Sequence, residues 1–192
     1  MSQSIHALWQ EIENTLMKKA PDVLKSLNPG ANAEQIEQAE ITLGYELPEQ
    51  IQEFYSIHNG QDVNQYQFLF EGWQFLSLQE MVQELKIWLD LLDDFEAHSG
   101  EPIGPVKDDW YNPKWLPFLS NGAGDFFCFD LDPAEEGHVG QVIEMWHDWG
   151  QRKVIAKDIT EYLSLFIADL QSGAYVISDE GLEKTIQQGI SE

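Results

Sequence analysis

The chain has 192 residues, 43% of them hydrophobic and 12% aromatic with seven Trp, enough apolar material for a packed core and too much for an acidic disordered tail. Against 10 Lys and Arg stand 34 Asp and Glu, a formal charge of −24, and Arg152 is the only arginine. Phosphate-backbone binding depends on cationic side chains that release counterions, so this balance argues against nucleic acid and anionic membrane surfaces as direct partners and favours a basic protein.

Apolar residues Ile5, Leu8, Trp9, Ile12 and Leu16 recur at helical spacing and predict a first helix from about Ser4 to Lys19, ended by Pro21. This N-terminus carries acids where a signal peptide would have a basic start and an unbroken apolar run. With no stretch near the ~18 apolar residues of a membrane span, a soluble cytoplasmic protein is expected. Asn32, with Gln35 three places on, caps a second helix through Ile36, Ala39 and Leu43 to Gly44. Leu47-Pro48 opens a third, with Ile51, Phe54, Tyr55 and His58 on one face, and Asn59-Gly60 closes it.

The aromatic run from Tyr66 to Leu76, interrupted by Gly72, reads as two short strands or a strand and a bulge. Ser77 and Glu80 form a capping box for a long helix carrying Met81, Leu85, Trp88, Leu92 and Phe95. Gly100, Pro102, Gly104, Pro105 and Pro113 mark a loop. A β meander follows: about Trp115 to Leu119, Phe126 to Leu131, Gln141 to Trp146, and Lys153 to Ala156. Asp158 with Glu161 caps a last helix that stops at Gly173. The expected architecture is α+β: one domain over residues 1–192, a central, mainly antiparallel sheet, and helices packed on one face and at the ends.

The stretch Gly124 to Pro133, GDFFCFDLDP, concentrates carboxylates, phenylalanines and the lone cysteine. Strand alternation puts Phe127, Phe129 and Leu131 on one face and Phe126, Cys128 and Asp130 on the other. Cys128 between two phenylalanines is best read as a small core hydrophobe, because no Lys or Arg from Asp125 to Asp148 could activate a thiolate. A single cysteine excludes an intramolecular disulfide, and there is no CxxC. Asp130-x-Asp132 begins like a calcium loop, but Ala134 and Glu135 occupy the positions of the next ligand and the turn glycine. His138 and His147 match no metal-ligand spacing, and GxSxG, P-loop and kinase motifs are absent. No cofactor is predicted.

Two acidic segments remain. Ser77 to Glu101 carries seven acids and one Lys; Asp125 to Asp148 carries seven acids and no Lys or Arg. Acids bordering exposed Trp would make the most useful docking surface, since desolvated aromatics dominate interface energy. The candidate partner-binding residues are therefore Asp130, Asp132, Glu135, Glu136, Trp146, His147, Asp148 and Trp149. The bland reading, a solvated face that maintains solubility, accounts for the same charge.

Leu47-Pro48, Asn59-Gly60, Trp115-x-Pro117, Gly124-Asp125, Asp130-Leu131 and Gly140-Gln141-Val142, together with Glu71 to Trp88, resemble the SUKH superfamily and its branch named for a fungal cell-wall assembly regulator. The likeness spans about residues 33–173, leaving an N-terminal helical extension (1–31) and a C-terminal tail (174–192). It implies an α+β fold without established catalytic residues: in bacteria most often an immunity protein that neutralises a toxin, frequently a nuclease, and in fungi a regulator acting through protein contacts. The leading expectation is an immunity protein binding a basic toxin; the alternative is a scaffold or regulator of cell-wall or envelope synthesis. A metal-dependent hydrolase built on Asp130, Asp132, Glu135 and His138 is the third reading.

Overall fold

Most of the helices follow from an apolar stripe and a side-chain cap. In the computed structural model, which describes residues 3–92 and 99–185, α1 (Ile5–Lys19) buries Ile5, Leu8, Trp9, Ile12 and Leu16, and Ser4 accepts the Ala7 amide at its start. Pro21 ends α1 as expected but also opens a short helix, α2 (Pro21–Ser26), since proline fits the first helical turn. α3 (Ala33–Leu43) has the Asn32/Gln35 box and stops at Gly44 with φ 78°. α4 (Glu49–Ile57) is preceded by Pro48 and buries Ile51, Phe54 and Tyr55.

From Tyr66 to Leu76 the structure gives less strand than expected: β1 is only Gln74–Phe75, with an isolated bridge between Phe70 and Trp73 across a tight turn at Glu71-Gly72. Leu69, Phe70 and Phe75 all reach the core, so side-chain burial rather than a ladder orders this segment. α5 (Leu78–Leu91) has both hydrogen bonds of the Ser77/Glu80 box. Phe95, assigned to the same helix, lies outside the described residues.

The stretch read as loop holds β2 (Glu101–Ile103), which pairs in parallel with β6 (Gln151–Ala156). β3 (Trp115–Ser120), β4 (Phe126–Asp130) and β5 (Gln141–Met145) complete a six-stranded sheet in the order β1-β3-β4-β5-β6-β2, antiparallel except at β2. β2 lies on the sheet edge, where Pro102, lacking an N–H, is tolerated.

α6 (Ile159–Ser172) is capped by Asp158 and ends at Gly173, φ 79°. The tail then folds back as a hairpin, β7 (Tyr175–Ser178) and β8 (Gly181–Lys184), an addition to the sequence reading. Leu182 is buried, and its amide donates to the Phe68 carbonyl at 2.9 Å.

The phenylalanine ribbon forms the centre. On one face Phe118 stacks on Phe129 at 4.3 Å, with Phe54 of α4 edge-on to both, and Phe127 meets Trp73 and Tyr162. A β-bulge between Pro117 and Leu119 seats Phe118 there. On the other face Phe126 meets Trp88 of α5, which stacks on Tyr111 at 5.2 Å. Helices on one face and at the ends describe α1, α4 and α6. Trp88 and the 99–113 segment cover the opposite face, and β3 is buried on both sides.

Candidate partner-binding site

The turn before β4 is built by side-chain hydrogen bonds. Asn121 Oδ1 accepts from the amides of Ala123 (2.8 Å) and Asp125 (3.2 Å), and Asn121 Nδ2 donates to Asp125 Oδ2 at 2.6 Å. Asp125 Oδ1 accepts from both the backbone N–H and ring Nδ1 of His147, so the β3–β4 and β5–β6 turns are tied together. Gly124 is required: its φ is 102°, and a Cβ would sit 3.2 Å from that of His147. Burial alone would raise the Asp125 carboxyl, but hydrogen bonds from His147 and Asn121 outweigh it and hold it below the ordinary value.

Along the β5–β6 turn the candidate cluster is graded. Trp146 is half-buried, edge-on to Trp73 at 6.2 Å; His147 is partly exposed; Asp148 is exposed; and Trp149 is 58% exposed. Trp149 is held from behind by Arg152, which sequence reasoning did not single out. Arg152 is fully buried and uses carbonyl oxygens alone: Trp110 O accepts from Nε (3.2 Å) and Nη2 (2.6 Å), Trp149 O from Nη1 (2.5 Å), and Gln151 O from Nη1 (2.8 Å). The guanidinium also lies 5.1 Å from the Trp110 ring. Burial pulls its pKa down to about 10, opposed by Cys128 and Asp125, so it stays cationic at neutral pH. One signal was legible: a single arginine in so acidic a chain has a specific task.

Asp130 is a correction. Its carboxylate is 0% exposed: Oδ1 accepts the Asp132 amide at 2.9 Å and Oδ2 accepts Gln141 Nε2 at 2.8 Å. In this arrangement it offers no oxygen to a partner. Burial raises its pKa, against the hydrogen bonds from Asp132 and Gln141. Gln141 Nε2 also donates to the Pro105 carbonyl, and Gly140 N donates to the Asp130 carbonyl at 2.7 Å. Asp132, half-buried, pairs with Lys107 at 2.6 Å and accepts from Asn112 at 3.1 Å. Glu135 and Glu136 are exposed beyond it.

The hydrolase set does not assemble as a metal centre: among the described residues Asp130, Asp132, Glu135 and His138 form no cluster of ligand atoms. Among the described residues the one metal-capable group is Asp125, His147 and Asp148, whose ligand atoms lie within 4.8 Å of one another. There Asp125 Oδ1 and His147 Nδ1 already face each other at 2.8 Å, the geometry of a donor and an acceptor. Cys128 is fully buried, and burial pushes its thiol far up, away from the nucleophilic thiolate.

The remaining motif positions are architectural in placement. The Leu47 amide donates to Glu40 Oε1, and Asn59 Oδ1 accepts the Leu78 amide at the start of α5. Gly60 has φ 78°, and a Cβ there would lie 2.4 Å from Ser77 N. Trp115 is fully buried opposite Asp130, and Pro117 opposes Cys128. Among the described residues no helix is long and apolar enough to cross a membrane.

A family model described as SMI1 / KNR4 family (SUKH-1) matches residues 30–165. The chain belongs to this family. The resemblance read between residues 33 and 173 thus extends slightly earlier and ends before α6 does. Among SMI1/KNR4 relatives, a protein of Debaryomyces hansenii named KNR4/SMI1 homolog 2 is 26% identical, the match covering 91% of this chain and 37% of that protein. The Saccharomyces cerevisiae protein named cell wall assembly regulator SMI1 is 22% identical over 90% of this chain and 41% of its own length. The glucan synthesis regulatory protein of Neurospora crassa is 21% identical over 94% and 41%. The chain spans about two fifths of the length of these relatives, and the Saccharomyces cerevisiae and Neurospora crassa proteins are named as regulators.

Proposed function

We propose that this SMI1/KNR4 family protein is a non-catalytic regulator of cell-wall or envelope synthesis that works by docking its acidic, Trp149-bearing turn against a basic protein. The observation that carries this reading is the exposed indole of Trp149 beside Asp148, braced by the buried Arg152. A presented aromatic on a rigid acidic turn is an anchor for binding. The names of the relatives move the regulatory role ahead of toxin neutralisation. Deleting the gene in its host and measuring osmotic fragility tests it: fragile cells rescued by the intact gene are expected, and unaltered envelopes would overturn it.

Toxin neutralisation is the second reading, favoured by the charge of −24 with a single, buried arginine, a surface suited to covering a basic enzyme's phosphate site. A neighbouring gene encoding a toxin that kills only the deletion strain would establish it over the first.

A further inference from the structure

A groove of about 740 Å³ is lined by α3, α5 and residues 28–30. Its size is that of a ligand site. Its chemistry departs from the acidity of the chain as a whole. Gln38, Gln79 and Gln83 supply amides along its walls, while the Asn28 amide donates to the Asn59 carbonyl and Gln35 Oε1 accepts the Asn32 amide; Lys86 is its one charge, and no Asp or Glu is among the described residues that line it. In a chain with 34 acids this is a neutral-to-positive channel on a negative surface. Ala39, Leu78 and Val82 are buried residues along it.

We infer that this groove binds an extended, polar peptide segment that lacks cationic side chains and carries one carboxylate, which pairs with Lys86. Side-chain amides both donate and accept, matching the alternating N–H and C=O of an extended backbone. Ala39 on the α3 wall is small, which leaves room for that backbone beside it. Charge selects against basic peptides at Lys86 and for one acid there. A phosphate ligand fits less well, because the α5 N-terminus is already capped: Asn59 Oδ1 takes the Leu78 amide, and Glu80 Oε2 takes the Ser77 amide. A sugar fits less well too, because no aromatic ring among the described residues lines the groove for stacking. The site shares no residue with the turn around Trp149, so it would engage a second segment or a second partner.

The test is a library of random ten-residue peptides selected on the full chain, with the best sequences resynthesised and titrated by calorimetry. Expected are polar peptides with one Asp or Glu and no Lys or Arg, binding with Kd about 10–100 µM. Their affinity should fall at least tenfold on Lys86→Glu and on the double change Gln38→Glu, Gln83→Glu, and be unaltered by Trp149→Ala. All these side chains are exposed, and circular dichroism verifies that each variant stays folded. Recovery of Lys-rich peptides that lose affinity on Trp149→Ala would overturn the groove assignment while supporting the acidic docking turn. A library that yields no peptide binder would also overturn it.

Discussion

Asp125 Oδ1 accepts two hydrogen bonds from one residue, His147: the backbone N–H at 2.9 Å and ring Nδ1 at 2.8 Å. This clamp fixes the turn that presents Asp148 and Trp149. Asp125→Ala strands the His147 donors and the Asn121 amide, and should destabilise the fold by about 2–4 kcal/mol in urea titrations. Its folded pKa is depressed, so its contribution is complete above the unfolded carboxylate pKa and fades as pH falls through the folded value. Between about pH 5 and pH 2 the difference between wild type and Asp125→Ala should narrow.

Asp130 has the opposite sign. Burial raises its folded pKa, so the folded state holds its proton more tightly than the unfolded chain, and ionisation costs stability as pH rises through the folded value. Asp130→Asn removes that cost but turns an amide N–H₂ toward Gln141 Nε2. Gln141 cannot flip freely, because Nε2 also donates to Pro105 O and Oε1 accepts the His138 amide. A net loss of about 1–2 kcal/mol is expected, read by urea titration; it is largest below the unfolded carboxylate pKa, shrinks as pH rises through the folded pKa, and is level above it.

Arg152→Lys should be severe despite keeping the charge. One ammonium cannot span the carbonyls of Trp110 and Trp149, which the guanidinium fork reaches together. A loss of about 2–4 kcal/mol is expected. Fluorescence should show a more mobile Trp149 even where the variant remains folded.

Gly44 and Gly60 separate two costs of a side chain at positive φ. Nothing lies within 4 Å of a Cβ at Gly44, so Gly44→Ala should cost about 1 kcal/mol in backbone strain alone. At Gly60 the Cβ would meet Leu76 and Ser77 backbone, 2.4 Å from the nearest atom. Gly60→Ala should therefore cost several times more and loosen α5, measurable as lost hydrogen-exchange protection over residues 78–85.

Helices were legible because stripe and cap agree: Ser4, Asn32, Ser77 and Asp158 each accept the backbone amide their position calls for. Strand parity likewise sorted Phe127 and Phe129 from Phe126 and Cys128. What local pattern could not reveal depends on distant partners. β2 contains proline and is a strand only because β6 lies beside it, and the β7–β8 hairpin is positioned by Phe68. The exposure of Trp149 and Asp148 was legible, because their polar turn keeps them in solvent. Asp130 was misplaced because its acid is enclosed by Gln141 and the Asp132 amide, and burial of a charge by distant donors leaves no local signature.

We propose that the protein acts by presenting an acidic, tryptophan-tipped surface rather than by chemistry at the phenylalanine ribbon. Complementation of the deletion strain by two folded variants, Trp149→Ala with Asp148→Lys, and Cys128→Ala, decides between the two. The turn variant should fail to restore osmotic resistance while Cys128→Ala restores it in full; rescue by the turn variant with loss of function in Cys128→Ala would refute the docking surface.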